Sequence, residues 1–221
     1  MPYIQEERRQ WPVTVHLIII NVIVYLGIMI NEQFMVSNFA LFYPSVRWFK
    51  IWQPITYMFM HGGFWHLFFN MYSLLMFGMV VERQLGTKRF LIFYFVTGLG
   101  AALLHTGVQA LEVQHYIASG TAESQIAYTN LLRTPVLGAS GAIYGILVAF
   151  AMLYPDARMT LIFPPITLDA KWWVTIFIVI ELVTGITGTQ MGVAHFAHLG
   201  GALFGFLLIL YWRKKGQLWR G

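Results

Sequence analysis

Apolar residues run along this chain in long blocks separated by short polar stretches. Six blocks approach or exceed the roughly 20 residues that a helix needs to cross a bilayer. They are residues 13–30, 55–81, 90–111, 138–154, 172–188 and 193–212, the fourth short but dense. The pattern predicts an all-α polytopic membrane protein with six transmembrane helices. On this reading residues 1–12 form a short N-terminal segment, 13–212 the membrane domain and 213–221 a short basic tail. No fixed-period repeat interrupts the pattern.

Composition agrees with the blocks. The chain is 58% hydrophobic and only 10% charged, too little charge for a soluble domain of 221 residues. The absence of cysteine excludes disulfides, thiolate metal sites and cysteine nucleophiles. A net charge of +5 would suit nucleic acid, but the basic residues sit at the ends of apolar blocks, where membrane topology explains them better. Arg8 and Arg9, then Arg83, Lys88 and Arg89, then Arg158 and Lys171, then Arg213, Lys214, Lys215 and Arg220 fall on one side of a six-span chain. Only Arg47, Lys50 and Arg133 fall on the other. The positive-inside rule therefore predicts that both termini are cytoplasmic. Trp11, Trp48, Trp52, Trp172, Trp173 and Trp212 lie near block ends, as an aromatic belt would.

Two outer segments are long. Residues 31–54 are rich in Phe, Tyr and Trp and are expected to lie partly in the interface. Residues 112–135 contain "SGTAES", a signal for a polar, flexible loop. The start, "MPYIQEERRQWP", reads neither as a signal peptide nor as a transit peptide. A prokaryotic inner membrane is the location expected on that basis.

Ionisable and strongly polar groups are costly inside a bilayer, so each one there is a functional hypothesis. The blocks carry His66 and Asn70 in the second, Ser140 and Tyr144 in the fourth, Glu181 in the fifth, and His195 and His198 in the sixth. The predicted topology makes the second, fourth and sixth helices all begin on the outer side. Their polar groups then share one depth below the outer surface, which helix glue would not require. A serine hydroxyl needs a base in hydrogen-bond reach to attack a carbonyl, and histidine supplies one. The oxyanion that forms needs fixed donors. His66 and Asn70, spaced i, i+4, share a helix face and both can donate. Ser140 opens its helix, where unpaired backbone N–H groups are available, and Gly138 and Gly141 leave that backbone uncovered. Tyr144, one turn on, shares its face and is placed to stack on a histidine ring.

Together these residues resemble the rhomboid family of intramembrane serine proteases. The resemblance runs from about Trp52 to Tyr211 and rests on Gly138-x-Ser140-Gly141, His66-x-x-x-Asn70 and His198-x-x-Gly201-x-x-x-Gly205, in that family's helices. It implies a rhomboid-like bundle with Ser140 as nucleophile and His198 as general base and later acid, a dyad without aspartate. It implies an oxyanion hole of His66, Asn70 and the Ser140 backbone N–H. Tyr144 matches the tyrosine packed on the base, and Gly201 and Gly205 match the pair that lets the sixth helix press against the fourth. The sequence departs from the family at Trp52-Gln53, where many members have Trp-Arg, and at "ERQLG", where Gln84 takes the place of an arginine while Glu82 and Gly86 remain.

The implied function is an intramembrane serine endopeptidase that cuts single-span membrane proteins near the outer membrane boundary through an acyl-enzyme. The fifth helix and a loop above the site would form the gate. The expected partners are a transmembrane substrate and the lipid bilayer, with no nucleic acid, cofactor or metal. Rival readings are weaker. His61, His66, His195 and His198 could form an imidazole cluster, but no "HExxH" is present and no acid neighbours them in sequence. A transporter would show inverted repeats. An inactive relative would have lost the serine or the base. Of the remaining polar groups, His61 is expected either near the outer surface as a loop or cap residue or in a supporting role near the oxyanion site, and His195 as an interface or supporting histidine. Glu181 is expected either to hydrogen-bond a neighbouring helix or to face lipid in its protonated form.

Overall fold

A computed structural model describes residues 11–161, 164–188 and 194–218. Helix α1 is Val13–Ile30, and its first N–H groups, which no intrahelical carbonyl can reach, are met by Glu82. The Val13 and Thr14 amides each donate to that carboxylate at 2.8 Å, and Thr14 Oγ1 donates at 2.7 Å. The outer segment 31–54 holds helix α2, Glu32–Phe39, capped by Asn31, and the start of α3, Gln53–Thr56, which continues as a single 3-10 turn, Tyr57–Phe59.

The second block does not start where hydropathy places it. The chain breaks at 60–63 and the span runs Phe64–Leu85, as α4 (Phe64–Ser73), a π-helical turn (Leu74–Gly78) and α5 (Met79–Leu85). Residues 55–59 are apolar but belong to the short helical piece before the break. Helix α6 is Thr87–Ser119, at 33 residues far longer than the expected 90–111. It ends at Gly120, in the left-handed conformation that favours glycine. Helix α7, Ala122–Arg133, follows a Thr121 cap. The segment expected as a flexible loop is therefore mostly helix. Its polar residues mark the end of the apolar run, but nothing before Gly120 breaks the helix.

Helix α8 is Ser140–Leu153, followed by a two-stranded antiparallel hairpin, β1 (Arg158–Thr160) with β2 (Thr167–Asp169). Helices α9, Ala170–Thr187, and α10, His195–Lys214, close the fold. Among the described residues five helices are long and apolar enough to span a bilayer: α1, the α4–α5 unit, α6, α9 and α10. Helix α8 has 14 residues, about 21 Å of length against a hydrocarbon core of about 30 Å. It sits inside the bundle, with α6, α10 and α9 packed around it, so it does not need to match the lipid thickness.

Glycine lets α10 lie against α8 and α6. A Cβ at Gly201 would fall on the Gly141 carbonyl, one at Gly205 would lie 2.8 Å from Gly145 Cα, and one at Gly200 would lie 2.8 Å from the Gly100 oxygen. At these points backbone meets backbone, and small residues let dispersion act at close range.

Candidate active site

The segment entering α8 is tied down on both sides. Leu41 and Val136 exchange backbone hydrogen bonds of 2.8 Å, and the Gly138 amide donates to the Tyr57 carbonyl at 2.9 Å. Tyr57 is itself buried, its hydroxyl donating to Gly98 O of α6 at 2.7 Å. Gly138 has φ +136°, a region L side chains rarely adopt, and a Cβ there would stand 2.9 Å from His66 Nε2. Both backbone and space require glycine at this point.

Ser140 is the first residue of α8, and no side chain caps that helix. From α10, His198 Nε2 reaches Ser140 Oγ at 2.7 Å. The Tyr144 ring lies flat on the His198 ring, centroids 4.5 Å apart and planes within 9°. From α4, His66 accepts a long 3.4 Å bond at Nδ1 from the Gly62 amide. That arrangement leaves the proton on Nε2, beside Gly138. Asn70 Nδ2 donates to the His66 carbonyl at 2.7 Å, which leaves the amide a second N–H to give.

Ser140 stands between two cavities. One, of about 720 Å³, is lined by Gly62, His66, Asn70, the 134–137 segment, Ser140 and His198, with His105 and Gln109 of α6 along one wall. The other, about 220 Å³, lies between α4 and α9 and is lined by Phe69, Asn70, Ser73, Ser140, Tyr144 and Phe177. Ser140, His198, His66, Asn70, Tyr144 and Gly138 thus meet in one place. Gly141, Gly201 and Gly205 lie at the helix crossing just below them.

Other expectations fare differently. His61 is fully buried, its ring edge-on to His66 at 5.0 Å, and neither of its nitrogens has a partner among the described residues. Residues 60–63 fold inward, so it is not a surface cap. Glu181 is only 8% exposed and points at neighbouring helices, so the lipid-facing alternative is not what the structure shows. His195 Nδ1 lies 2.6 Å from Glu181 Oε2, within reach of the acid and not of Ser140's hydroxyl. The expected gating loop above the site was assigned no residues by the sequence, and residues 189–193, between α9 and α10, lie outside the described residues. His105 and Gln109, both in the cavity wall, were not singled out in the sequence. Their place in the third apolar block was the signal that could have found them.

The two departures from the family pattern have visible structural roles. Gln53 is buried, accepting from the Phe42 amide at 3.3 Å and donating to Trp48 O at 2.9 Å. Gln84 accepts from Tyr154 OH at 3.1 Å. Glu82 caps α1 as described, and Gly86 turns the chain into α6 at φ +76°.

Comparison with known proteins identifies the family. The Rhomboid domain family matches residues 48–215. The chain is 30% identical over 175 residues to RHOMBOID-like protein 12, mitochondrial, of Arabidopsis thaliana, covering 78% of this chain and 49% of that one. It is 29% identical over 210 residues to Rhomboid protease AarA of Providencia stuartii, covering 88% and 70% respectively. Rhomboid-like protease 3 of Toxoplasma gondii is 26% identical over 187 residues, 84% of this chain and 60% of that one. The chain therefore spans from about half to about two thirds of these relatives. Mitochondrial and bacterial proteins both occur among them, so the similarity does not choose a prokaryotic membrane.

Proposed function

The chain belongs to the rhomboid family, and from that premise we propose that it is an intramembrane serine endopeptidase. The observation that carries the proposal is the 2.7 Å contact between His198 Nε2 and Ser140 Oγ, made from two helices and opening on a cavity that His66, Asn70, His105 and Gln109 also line. His198 takes the Ser140 proton as Oγ attacks the scissile carbonyl. The tetrahedral oxyanion is met by the Ser140 N–H, His66 Nε2–H and the free N–H of Asn70. His198 then gives the proton to the departing amine, leaving an ester on Ser140. Water activated by the same imidazole hydrolyses that ester and restores the hydroxyl.

The substrate we propose is a single-span membrane protein, cut near the outer membrane boundary. Its helix must unwind locally, because a helical carbonyl is already hydrogen-bonded and shielded. With α8 counted as a short fourth span beside the five long helices, the chain crosses six times, and the Lys and Arg distribution then favours both termini in the cytoplasm.

The test is cleavage of a single-span model substrate by purified protein in detergent or liposomes. Ser140→Ala and His198→Ala should each reduce turnover by about 10⁵–10⁶-fold while the proteins stay folded. Cutting by Ser140→Ala at the wild-type rate would sink the assignment.

A further inference from the structure

We infer that Glu181 is a positioning residue for His198, holding the base from the side opposite Ser140. The inference rests on the protease reading above and extends it, because the motifs that carry that reading contain no acid. In the structure Glu181 Oε1 lies 2.9 Å from His198 Nδ1, while His198 Nε2 faces Ser140 Oγ at 2.7 Å. Serine, imidazole and carboxylate therefore form one line, contributed by α8, α10 and α9. The contact falls short of hydrogen-bond geometry and is a close polar approach of Nδ1 to the carboxylate. No other group among the described residues partners Nδ1. Contacts of this kind tighten as a site closes on substrate.

The carboxylate is held as firmly as the base. Tyr144 OH donates to Glu181 Oε1 at 2.5 Å, and the same tyrosine ring lies flat on His198. His195 Nδ1 approaches Oε2 at 2.6 Å. Three donors thus converge on one acid. An ionised carboxylate is acceptor-only and has lone pairs for all of them. Its chemical task is to fix the tautomer. Nε2 can remove the Ser140 proton only when the ring's resting proton is on Nδ1, and an acceptor at Nδ1 favours that form. When Nε2 takes the serine proton the ring becomes a cation with both nitrogens protonated, and the adjacent carboxylate stabilises it. The acid takes no proton in this step. The proton stays on Nε2 until the leaving amine receives it.

The competing role for Glu181 is a purely structural link from α9 to α8 and α10. Kinetics of Glu181→Gln and Glu181→Asp separate the two. A serine-reactive phosphonate counts competent sites through its final labelling of Ser140, and its labelling rate reports how well the serine is activated. We expect Glu181→Gln to lower kcat by about 10²–10⁴-fold with KM within about threefold, and to slow phosphonylation similarly without changing its final extent. Glu181→Asp should recover at least about tenfold of that loss, because the acceptor returns at a slightly longer reach. A kcat per labelled site within about threefold of wild type in Glu181→Gln would overturn the proposal, even if fewer sites label. If wild-type protein neither cuts the model substrate nor labels, the protease reading itself has failed, and this inference falls with it.

Discussion

The molecule is packed in two different ways on the two sides of Ser140. On the side of α6 and α10, backbone lies on backbone: Gly201 against Gly141, Gly205 against Gly145, Gly200 against Gly100. On the side of α4 and α9 the helices present Phe64, Trp65, Phe68 and Phe69, and Val179, Ile180, Val183 and Ile186, outward as exposed apolar side chains, with a cavity of about 220 Å³ between them. Glu181 is one of the few residues of α9 that is buried. The difference separates two tasks. Holding Ser140 and His198 within 2.7 Å of each other, as the proposed mechanism needs, requires elements that cannot slide. Admitting a polypeptide from the bilayer requires elements that can part. On the proposed protease reading, the close-packed side suits the first task, and the side with few interhelical contacts suits the second.

The comparison breaks most severely if the rigid side is loosened. Gly201→Val would place carbon on the Gly141 carbonyl, and backbone cannot rotate away as a side chain can. The helices must separate, at a cost of about 3 kcal/mol. Because Ser140 and His198 sit on those same helices, a displacement of about 1 Å should also cost about 10²-fold in turnover of the molecules that remain folded. Thermal unfolding together with turnover per labelled serine measures both losses. Wild-type stability and turnover in Gly201→Val would show that the crossing does not set the site.

Asn70 tests the boundary between the two sides, since it lines both cavities. Asn70→Ala removes an oxyanion donor and should lower kcat by about 10²-fold with little change in KM. The stability cost should be small, about 1 kcal/mol, because the bond lost is to a carbonyl of its own helix. A fall in stability that accounts for the whole loss of activity would instead assign Asn70 to packing.

Much of this was readable from sequence, and the failures have physical causes. Residues 13–30 were placed to the residue, because Pro12 and Asn31 bound an uninterrupted apolar run. The second apolar block begins at 55, nine residues before the helix at 64, because hydropathy measures affinity for lipid and does not detect the break at 60–63. The "SGTAES" stretch contains the one break, Gly120–Thr121, while residues 112–119 and 122–133 on either side of it are helical, because polar side chains end a membrane span without ending a helix. At the candidate site, Ser140, His66, Asn70 and His198, which the structure brings together, can be grouped from sequence through a shared depth, which the predicted topology supplies. Glu181 could not be paired in that way. Its partners Tyr144, His195 and His198 come from other helices, and which face of α9 turns inward depends on packing. The apolar residues of α9 lie all round it and leave that rotation open.

The smallest expected effect lies on the loose side, at Phe177. This residue of α9 lines the smaller cavity with Phe69 and Ser140 and is stacked on Trp173 of its own helix, centroids 5.7 Å apart. It is half-buried and stands between the bilayer-facing surface and the serine. Phe177→Ala removes ring volume from that approach without touching the 2.7 Å contact or the glycine crossing. A transmembrane substrate should then enter more readily, raising kcat/KM by about threefold, an amount that corresponds to less than about 1 kcal/mol. A small water-soluble phosphonate, which reaches Ser140 through the larger cavity, should label at an unchanged rate. The pairing of the two measurements is what sharpens the contrast. Acceleration of both would mean that Phe177 affects the serine's reactivity, whereas acceleration of the membrane substrate alone would place the entrance between α4 and α9.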